Sequence, residues 1–264
     1  MSEVVTTTPG LYPLPDWAKD ELSDLKGHQK ADLIDGAEGP EITDAYDHVR
    51  SEYVDRQQSA GLDRIVEGQG RWDDMIAHPL AVADAVDTRG IVRYYDNNNF
   101  YREPVVTDDI AATGDVAAEL DAASEQVDAG LQAVLPGPYS LADLATDEHY
   151  GDDEAFLDAV ADFLADEIAE FPDVETLFLL EPSLVENPPE DGEDERASEA
   201  IDAVAAAADA EVVAHTYWGA LDEKVYAHLM DADVDAIGFD FVANHEDNVY
   251  NISEYGTKSD VALG

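Results

Sequence analysis

Short apolar runs alternate with longer amphipathic segments along most of the chain. The runs are β-branched or aliphatic, are bounded by Gly, Pro or Asp, and have the length of strands that are buried on both faces. They predict eight strands, at residues 6–11, 62–66, 90–95, 131–135, 176–180, 211–215, 236–241 and 260–263. Between them, apolar positions recur every three or four residues with acids on the opposite face, which predicts amphipathic helices. The predicted helices cover residues 41–59, 73–87, 140–144, 153–170, 195–208 and 221–231.

Eight strands, most of them followed by a helix, favour an α/β fold of the (β/α)8 TIM-like barrel type over an open doubly wound sheet. The glycine fingerprints of dinucleotide-binding folds are missing, which favours the same conclusion. We therefore predict one barrel domain over residues 1–264, with an acidic loop excursion at residues 186–196. A complete barrel carries a helix after its last strand, and residues 260–264 leave none. We expect the chain to be a fragment of a longer protein rather than to have this seam covered by a second chain.

Charge changes the picture more than any other property of the composition. The chain has 62 Asp and Glu residues and only 13 Lys and Arg residues, a formal net charge of −49. Such a field repels nucleic-acid backbones and anionic membrane surfaces, and the chain shows neither a membrane-spanning run nor a signal peptide. The acids are spread along the chain, which favours a surface adapted to molar salt over a dedicated cation-binding face. We expect a cytoplasmic protein in a high-salt cytosol.

Candidate chemistry is expected after the strands, because functional side chains of such barrels lie at the carboxyl ends. Arg93 is predicted there either to bind an anion or to pair with an acid, and Glu181 is costly to bury unless it is paired. Cysteine is absent, which excludes disulfides and thiolate-bound metals within the chain. A zinc site at His215 and Asp240, with Glu181 or His245 as third ligand, stays open. These residues alone do not identify a reaction.

Several strand-end motifs, in order along the chain, carry a resemblance to a known family. Residues 93–101 are similar to the motif Lys-Trp-Phe-Asp-Thr-Asn-Tyr-His-Tyr and share Asp96, Asn98 and Tyr101 with it. Further matches are Tyr12-Pro13 with Gly-Tyr-Pro-Arg, residues 135–141 with Gly-Pro-Val-Thr-Phe, residues 181–184 with Asp-Glu-Pro-Ala-Leu, residues 216–219 with Thr-Tyr-Phe-Gly, and residues 260–264 with the start of Leu-Ser-Leu-Gly-Val-Val-Asp-Gly. The chain thereby resembles the cobalamin-independent methionine synthases, and their N-terminal barrel more than their catalytic barrel.

The resemblance implies methyl transfer from methyltetrahydrofolate, or a related pterin, to homocysteine. The family's catalytic barrel binds zinc through His-x-Cys, a Glu and a second Cys. Here His215 takes the first position, Tyr217 stands in place of the Cys and Asp240 in place of the Glu. We therefore expect no firmly bound cofactor in this chain and zinc on a partner barrel. Arg93 and Lys19 correspond to basic residues that hold the polyglutamate tail of the donor.

The resemblance therefore predicts one half of a split methyltransferase, with a homologous catalytic barrel as partner. The predicted substrate-binding residues are Lys19, Arg93, Asp96, Asn98, Tyr101, Glu181, His215, Tyr217 and Asp240. Whether the chain is active on its own stays open. The alternatives are a non-catalytic subunit that docks the zinc-bearing barrel, and a stand-alone enzyme of the uroporphyrinogen decarboxylase-like superfamily.

Overall fold

The computed structural model describes residues 4–23, 39–95, 97–128, 130–190 and 192–264. The helices of these residues are α1 (Asp16–Glu21), α2 (Pro40–Ala60), α3 (His78–Ala81), α4 (Asp115–Ser124), α5 (Pro138–Asp143), α6 (Asp153–Ile168), α7 (Ser183–Glu186), α8 (Glu193–Ala205), α9 (Glu223–Leu229) and α10 (His245–Tyr255). The strands are β1 (Ile65–Val66), β2 (Val86–Arg93), β3 (Phe100–Val106), β4 (Leu131–Pro136), β5 (Thr146–Asp147), β6 (Thr176–Leu180), β7 (Glu211–His215), β8 (Ala236–Phe239) and β9 (Asp260–Leu263). No helix among these residues is both long enough and apolar enough to cross a membrane.

Six parallel strands form the main sheet, in the order β1-β4-β6-β7-β8-β9. Each strand pairs with the next main-sheet strand along the chain, and the order never reverses. A doubly wound sheet reverses its strand order at a switch point, whereas a barrel does not. The α/β fold with helices between parallel strands is thereby confirmed.

Apart from the largely exposed β9, the strands of the main sheet bury side chains on both faces, which explains their continuous apolar sequences. In β4 and β6, Val134 and Phe178 point to one face and belong to a small inner cluster. Leu135 and Leu177 point to the other face, where they pack with helices α6 and α8 in the larger cluster. Burial on both faces therefore fixes the positions of the strand ends, where the following loops begin.

The predicted first strand, residues 6–11, is an extended segment beside β1 and does not form a regular strand. The amides of Asp63 and Arg64 donate to the Thr6 carbonyl oxygen at 2.9 and 3.1 Å, and the amide of Tyr12 donates to the Gly68 oxygen at 3.1 Å. The segment therefore runs along β1, the strand at one edge of the main sheet.

The predicted barrel strand at residues 90–95 is wrong. Strand β2 instead pairs antiparallel with β3, and β3 pairs with the short strand β5 in a separate three-stranded sheet. The amide of Tyr94 donates to the Asn99 oxygen at 3.0 Å, so the Asn-rich turn closes a hairpin. All eight residues of β2 are exposed or half-buried, unlike those of a strand buried on both faces.

The predicted helix at residues 73–87 is also wrong, since only α3 is helical there. Asp74 accepts hydrogen bonds from the amides of Ile76 and Ala77 at 2.9 and 2.7 Å, which forms a turn before α3. Strand β2 then begins at Val86. The acidic segment at residues 186–196 includes the last residue of α7 and the first turn of α8, which leaves residues 187–190 and 192 outside these helices.

Candidate functional site

The β2–β3 hairpin lies against the carboxyl ends of the main-sheet strands, which we call the carboxyl face. The hydroxyl oxygens of Tyr95 and Ser183 are 2.5 Å apart, and Ser183 follows β6. The ring of Tyr95 also meets the edge of Trp218, which follows β7, with 5.5 Å between centroids. The hairpin therefore brings Tyr95 to the face where the candidate chemistry was expected, although it does so from a separate sheet.

Glu181 is fully buried at the end of β6 and caps the short helix α5. Its carboxylate accepts hydrogen bonds from the amide of Tyr139 at 3.0 Å and from the amide and hydroxyl of Ser140 at 2.8 and 2.6 Å. The two segments touch so closely that a Cβ at Gly137 would lie 2.2 Å from this carboxyl carbon. Burial raises the pKa of Glu181 to about 7, against the opposing effect of the Ser140 hydrogen bonds.

A second carboxylate, Asp143, joins the same network and was missed by sequence reasoning. The hydroxyl of Ser183 donates to Asp143 at 2.7 Å, and the side-chain amide of Asn187 donates to it at 2.5 Å. Because the single proton of Ser183 is committed to Asp143, the hydroxyl of Tyr95 donates to Ser183. Burial raises the pKa of Asp143. The network therefore ties the hairpin to the ends of β4 and β6.

His215 ends β7 as a buried imidazole, with 8% of the residue exposed. Its Nδ1 lies over Gly238, where a Cβ would be only 1.9 Å away, and has no hydrogen-bond partner among the described residues. Burial lowers the pKa of His215 to about 4, although the charge of Asp240 opposes this. The ring is therefore neutral near neutral pH, and it stacks beside Tyr217 with 5.9 Å between centroids.

Asp240 follows β8 and uses both carboxylate oxygens on backbone amides. Oδ2 accepts from the amide of Trp218 at 2.8 Å, and Oδ1 accepts from the amides of Val242 and Ala243 at 2.9 and 2.7 Å. Trp218 has a φ of 73°, a left-handed conformation that is uncommon for a large side chain. Asp240 thereby fixes the loop after β7 against the loop after β8.

The two carboxylates of the predicted zinc site, Asp240 and Glu181, already accept hydrogen bonds from other groups. A zinc ion in a protein takes three or four convergent side-chain ligands. The Nδ1 of His215 faces Gly238, both oxygens of Asp240 accept amide hydrogens, and Glu181 caps α5. His245 begins α10, with its ring against Phe241. Within the described ranges, the group of three close metal-type ligands is a different and exposed one, formed by Asp108, Asp109 and His149.

Aromatic side chains fill the space between the hairpin and the strand ends. Tyr94 is buried, stacks on Tyr101 with 4.4 Å between centroids, and donates its hydroxyl to Asp74. Burial raises the pKa of Tyr101 to about 12 and that of Tyr217 well above its ordinary value. The Tyr217 hydroxyl lies 4.0 Å from the sulfur of Met75. These rings therefore present neutral, polarisable surfaces at physiological pH.

The predicted basic contacts lie apart from this packed interior. Arg93 is exposed at the end of β2, where its Nη2 donates to Asn98 at 3.4 Å and its guanidinium lies 6.0 Å from the centre of the Phe100 ring. Lys19 lies on α1 and pairs with Asp16 of the same helix at 3.2 Å. Asp96 lies outside the described residues. The structure therefore brings Arg93, Asn98 and Tyr101 together on one hairpin and places Lys19 on a separate helix.

A cluster of charged residues lies after β1, and sequence reasoning did not predict it. Arg50 pairs with Asp47 at 2.7 Å and with Glu119 at 2.6 Å, and the Nε of Arg71 lies 2.7 Å from the other oxygen of Glu119. Glu67 is buried beside them, and burial, followed by the charge of Glu119, raises its pKa. The cluster fixes α2 and α4 against the end of β1, and it is packed so closely that it leaves no cavity for a water molecule among the described residues.

Comparisons with known proteins agree with this architecture. Residues 82–264 match the family model described as cobalamin-independent synthase, N-terminal domain. No curated protein matches the chain. Among solved structures, the chain is similar to a B12-independent methionine synthase from Shewanella sp. W3-18-1 in complex with selenomethionine, with a TM-score of 0.81 and 19% identity over 98% of this chain and 79% of that chain.

The structural likeness, at this low identity, bears on the fold alone and confirms the predicted TIM-like α/β fold. The family match covers more than half of the chain. It confirms the resemblance that the strand-end motifs predict. The chain therefore belongs to the cobalamin-independent synthase family, as a relative of the family's N-terminal domain.

Proposed function

We propose that this methionine synthase-related chain is one half of a split enzyme that transfers a methyl group from methyltetrahydrofolate, or a related pterin, to homocysteine. In this proposal a separate barrel of the same family binds zinc and activates the homocysteine thiol. The single observation that carries the proposal is membership of the N-terminal-domain family in a chain that has no cysteine. Thiolate ligands for zinc are therefore expected outside these 264 residues, and the proposal places them on a separate barrel.

The outer face of the β2–β3 hairpin is the proposed docking surface for the catalytic barrel. Ile91 and Phe100 are 65% and 55% exposed there, and Arg93 lies between them on the same face. Exposed apolar side chains beside a cation are unusual on a chain with a net charge of −49. Such a surface fits a partner that presents apolar groups, and it would hold that partner over the carboxyl face.

The methyl donor is proposed to lie between the two barrels, with its anionic tail near Arg93. Asn98 supplies an amide next to that guanidinium on the outer face of the hairpin. Tyr101 supplies a neutral ring on the inner face, against which a flat heterocycle can stack. Asp96 and Lys19 belong to this proposal through the family motifs alone. Glu181, His215, Tyr217 and Asp240 are proposed to shape the floor beneath the donor, since Glu181 and Asp240 are committed to backbone amides.

The charge distribution gives the proposal a specific test. Arg93→Gln removes the cation on the hairpin, and Arg56→Gln is a matched control, since Arg56 is an exposed cation on α2 that pairs with Glu52. We expect Arg93→Gln to raise the KM for a pterin polyglutamate in the reconstituted two-chain assay about ten-fold, with Arg56→Gln unchanged. Equal effects of the two variants would contradict the proposed tail contact.

A non-catalytic docking subunit is the second candidate function. The hydrogen bonds of Glu181 and Asp240 favour it, because these carboxylates already bind backbone amides of the strand-end loops rather than facing a substrate. In that case the chain binds the catalytic barrel but not the donor. Calorimetric titration of the isolated chain with a pterin triglutamate separates the two candidates, since only the first predicts heat that Arg93→Gln reduces.

A further inference from the structure

A groove at the opposite end of the sheet has the features of a small-molecule site. It has a volume of about 370 Å³ and lies between the loop that leads from α6 into β6 and the loop that leads from α8 into β7. That volume is within the range of about 300–1,000 Å³ that is usual for ligand sites. The groove is on the amino side of β6 and β7, so it is separate from the carboxyl face and independent of the proposed function.

The floor of the groove is apolar. Ile168 and Leu177 are buried there, and Phe171, Pro172 and Val174 are half-buried along its walls. Water in such a groove makes few hydrogen bonds with its surroundings, so an aliphatic chain that displaces it gains free energy in proportion to the apolar surface that it buries.

The rim of the groove is anionic. Asp173 and Asp209 line it on opposite loops, both are exposed, and neither has a hydrogen-bond or ion-pair partner within the described ranges. None of the ten residues that line the groove is Lys, Arg or His.

Two helix ends add to this negative potential. Helix α6 ends at Ile168 and helix α8 at Ala205, each beside the groove, and neither has a basic residue in its last turn. A helix carries roughly half a negative charge at its carboxyl end, which a nearby cation ordinarily offsets. Two helix ends without a basic residue in the last turn, and two carboxylates without a partner in the described ranges, therefore border one groove with an apolar floor.

From this combination the geometry points to a binding site for a small aliphatic amine. The ammonium group binds at the rim formed by Asp173 and Asp209, and the hydrocarbon chain lies against Ile168, Val174 and Leu177. An anion of the same length is excluded by the rim, and an inorganic cation gains nothing from the floor. The site thus recognises both the charged group and the hydrocarbon chain of an organic cation.

Titration of the full chain with hexylammonium chloride tests this site, at a salt concentration at which the chain is folded. Methyl resonances of Ile168, Val174 and Leu177 report occupancy by NMR, and sodium hexanoate is the probe of opposite charge. We expect saturable shifts with hexylammonium and at least ten-fold weaker binding of hexanoate. Equal binding of the two probes, or no saturable shift with hexylammonium, would overturn the site.

Two variants and a control locate the cation. Asp173→Asn and Asp209→Asn should each weaken hexylammonium binding about two- to five-fold, the range expected for an exposed charge pair. Asp158→Asn removes an exposed carboxylate from the same helix α6 at a position away from the groove, and should leave the affinity unchanged. Equal weakening by all three variants would show that only the overall negative field attracts the ligand and would contradict the site. The titration measures amine binding alone and does not depend on methyl transfer, so failure of the proposed function would leave its result unaffected.

Discussion

The carboxylate of Glu181 accepts three hydrogen bonds from the first turn of α5, two of them from Ser140. This contact joins the end of β6 to the helix that follows β4, although the two residues are 41 positions apart in the sequence. It does so at the cost of burying a carboxylate, which is why the pKa of Glu181 is raised to about 7. The arrangement makes the stability of this corner dependent on pH.

Glu181→Gln should flatten the dependence of unfolding free energy on pH. In the wild type the folded state holds the Glu181 proton up to about pH 7, whereas the unfolded chain releases it near 4.5. The folded state therefore binds more protons between these values, and stability attributable to this group falls as pH rises through that window. Urea unfolding from pH 4.5 to 7.5 at constant salt should show a shallower decline for Glu181→Gln. Glu186→Gln, at an exposed position on α7, is the control and should follow the wild type.

Gly238→Ala should destabilise the protein by about 1–3 kcal/mol, because its Cβ would lie 1.9 Å from the Nδ1 of His215. The backbone of β8 is paired with β7 and β9 and cannot yield easily. Chemical denaturation measures the change. Gly90→Ala is the control, since a Cβ there meets nothing within 4 Å.

A double variant separates this steric cause from a general intolerance of alanine in β8. Gly238→Ala combined with His215→Ala keeps the added methyl group and removes the ring that it meets. The double variant should be more stable than the sum of the two single effects predicts. Strict additivity would contradict the close contact between His215 and Gly238.

Stability should fall as salt is removed. With 62 acidic and 13 basic residues, like-charge repulsion is screened only when the Debye length is short, about 3 Å at 1 M salt. We expect the Tm, measured by differential scanning calorimetry, to decrease on dialysis below about 0.5 M KCl. A Tm that does not change with KCl would contradict the prediction of a salt-adapted surface.

The two exposed apolar side chains of the hairpin should be dispensable for folding and necessary for docking. Ile91→Ser combined with Phe100→Ser removes two exposed apolar side chains, so the Tm should change little. Binding to the zinc-bearing barrel, measured by analytical ultracentrifugation, should weaken at least ten-fold. The matched control is Val4→Ser with Val5→Ser, which changes two exposed apolar residues near the amino end of β1. A hairpin variant that binds as tightly as that control would remove the proposed docking surface.

The sequence predicts the main sheet well where each strand is buried on both faces. Residues 176–180 and 211–215 are found as β6 and β7 with the predicted bounds, because a short aliphatic run flanked by acids leaves few other structures. The hairpin was mispredicted at residues 90–95 because one turn, closed between Tyr94 and Asn99, decides whether that run enters the main sheet.

The candidate site was predictable only in part, for a related reason. Strand-end reasoning finds Glu181, His215 and Asp240, since each directly follows or ends a recognisable strand. It does not find the contact of Tyr95 with Ser183, which is 88 positions away, because that contact depends on how the hairpin folds over the sheet. Nor does local patterning show that the oxygens of Asp240 are used by backbone amides.

The most direct measurement of the central claim is a methyl-transfer assay with purified chains. The chain is mixed with methyltetrahydropteroyl triglutamate and homocysteine, first alone and then with a cysteine-bearing barrel of the same family loaded with zinc. The account predicts no turnover by this chain alone, and methionine formation by the mixture well above that of the partner by itself. Robust methionine formation by this chain alone would contradict the account.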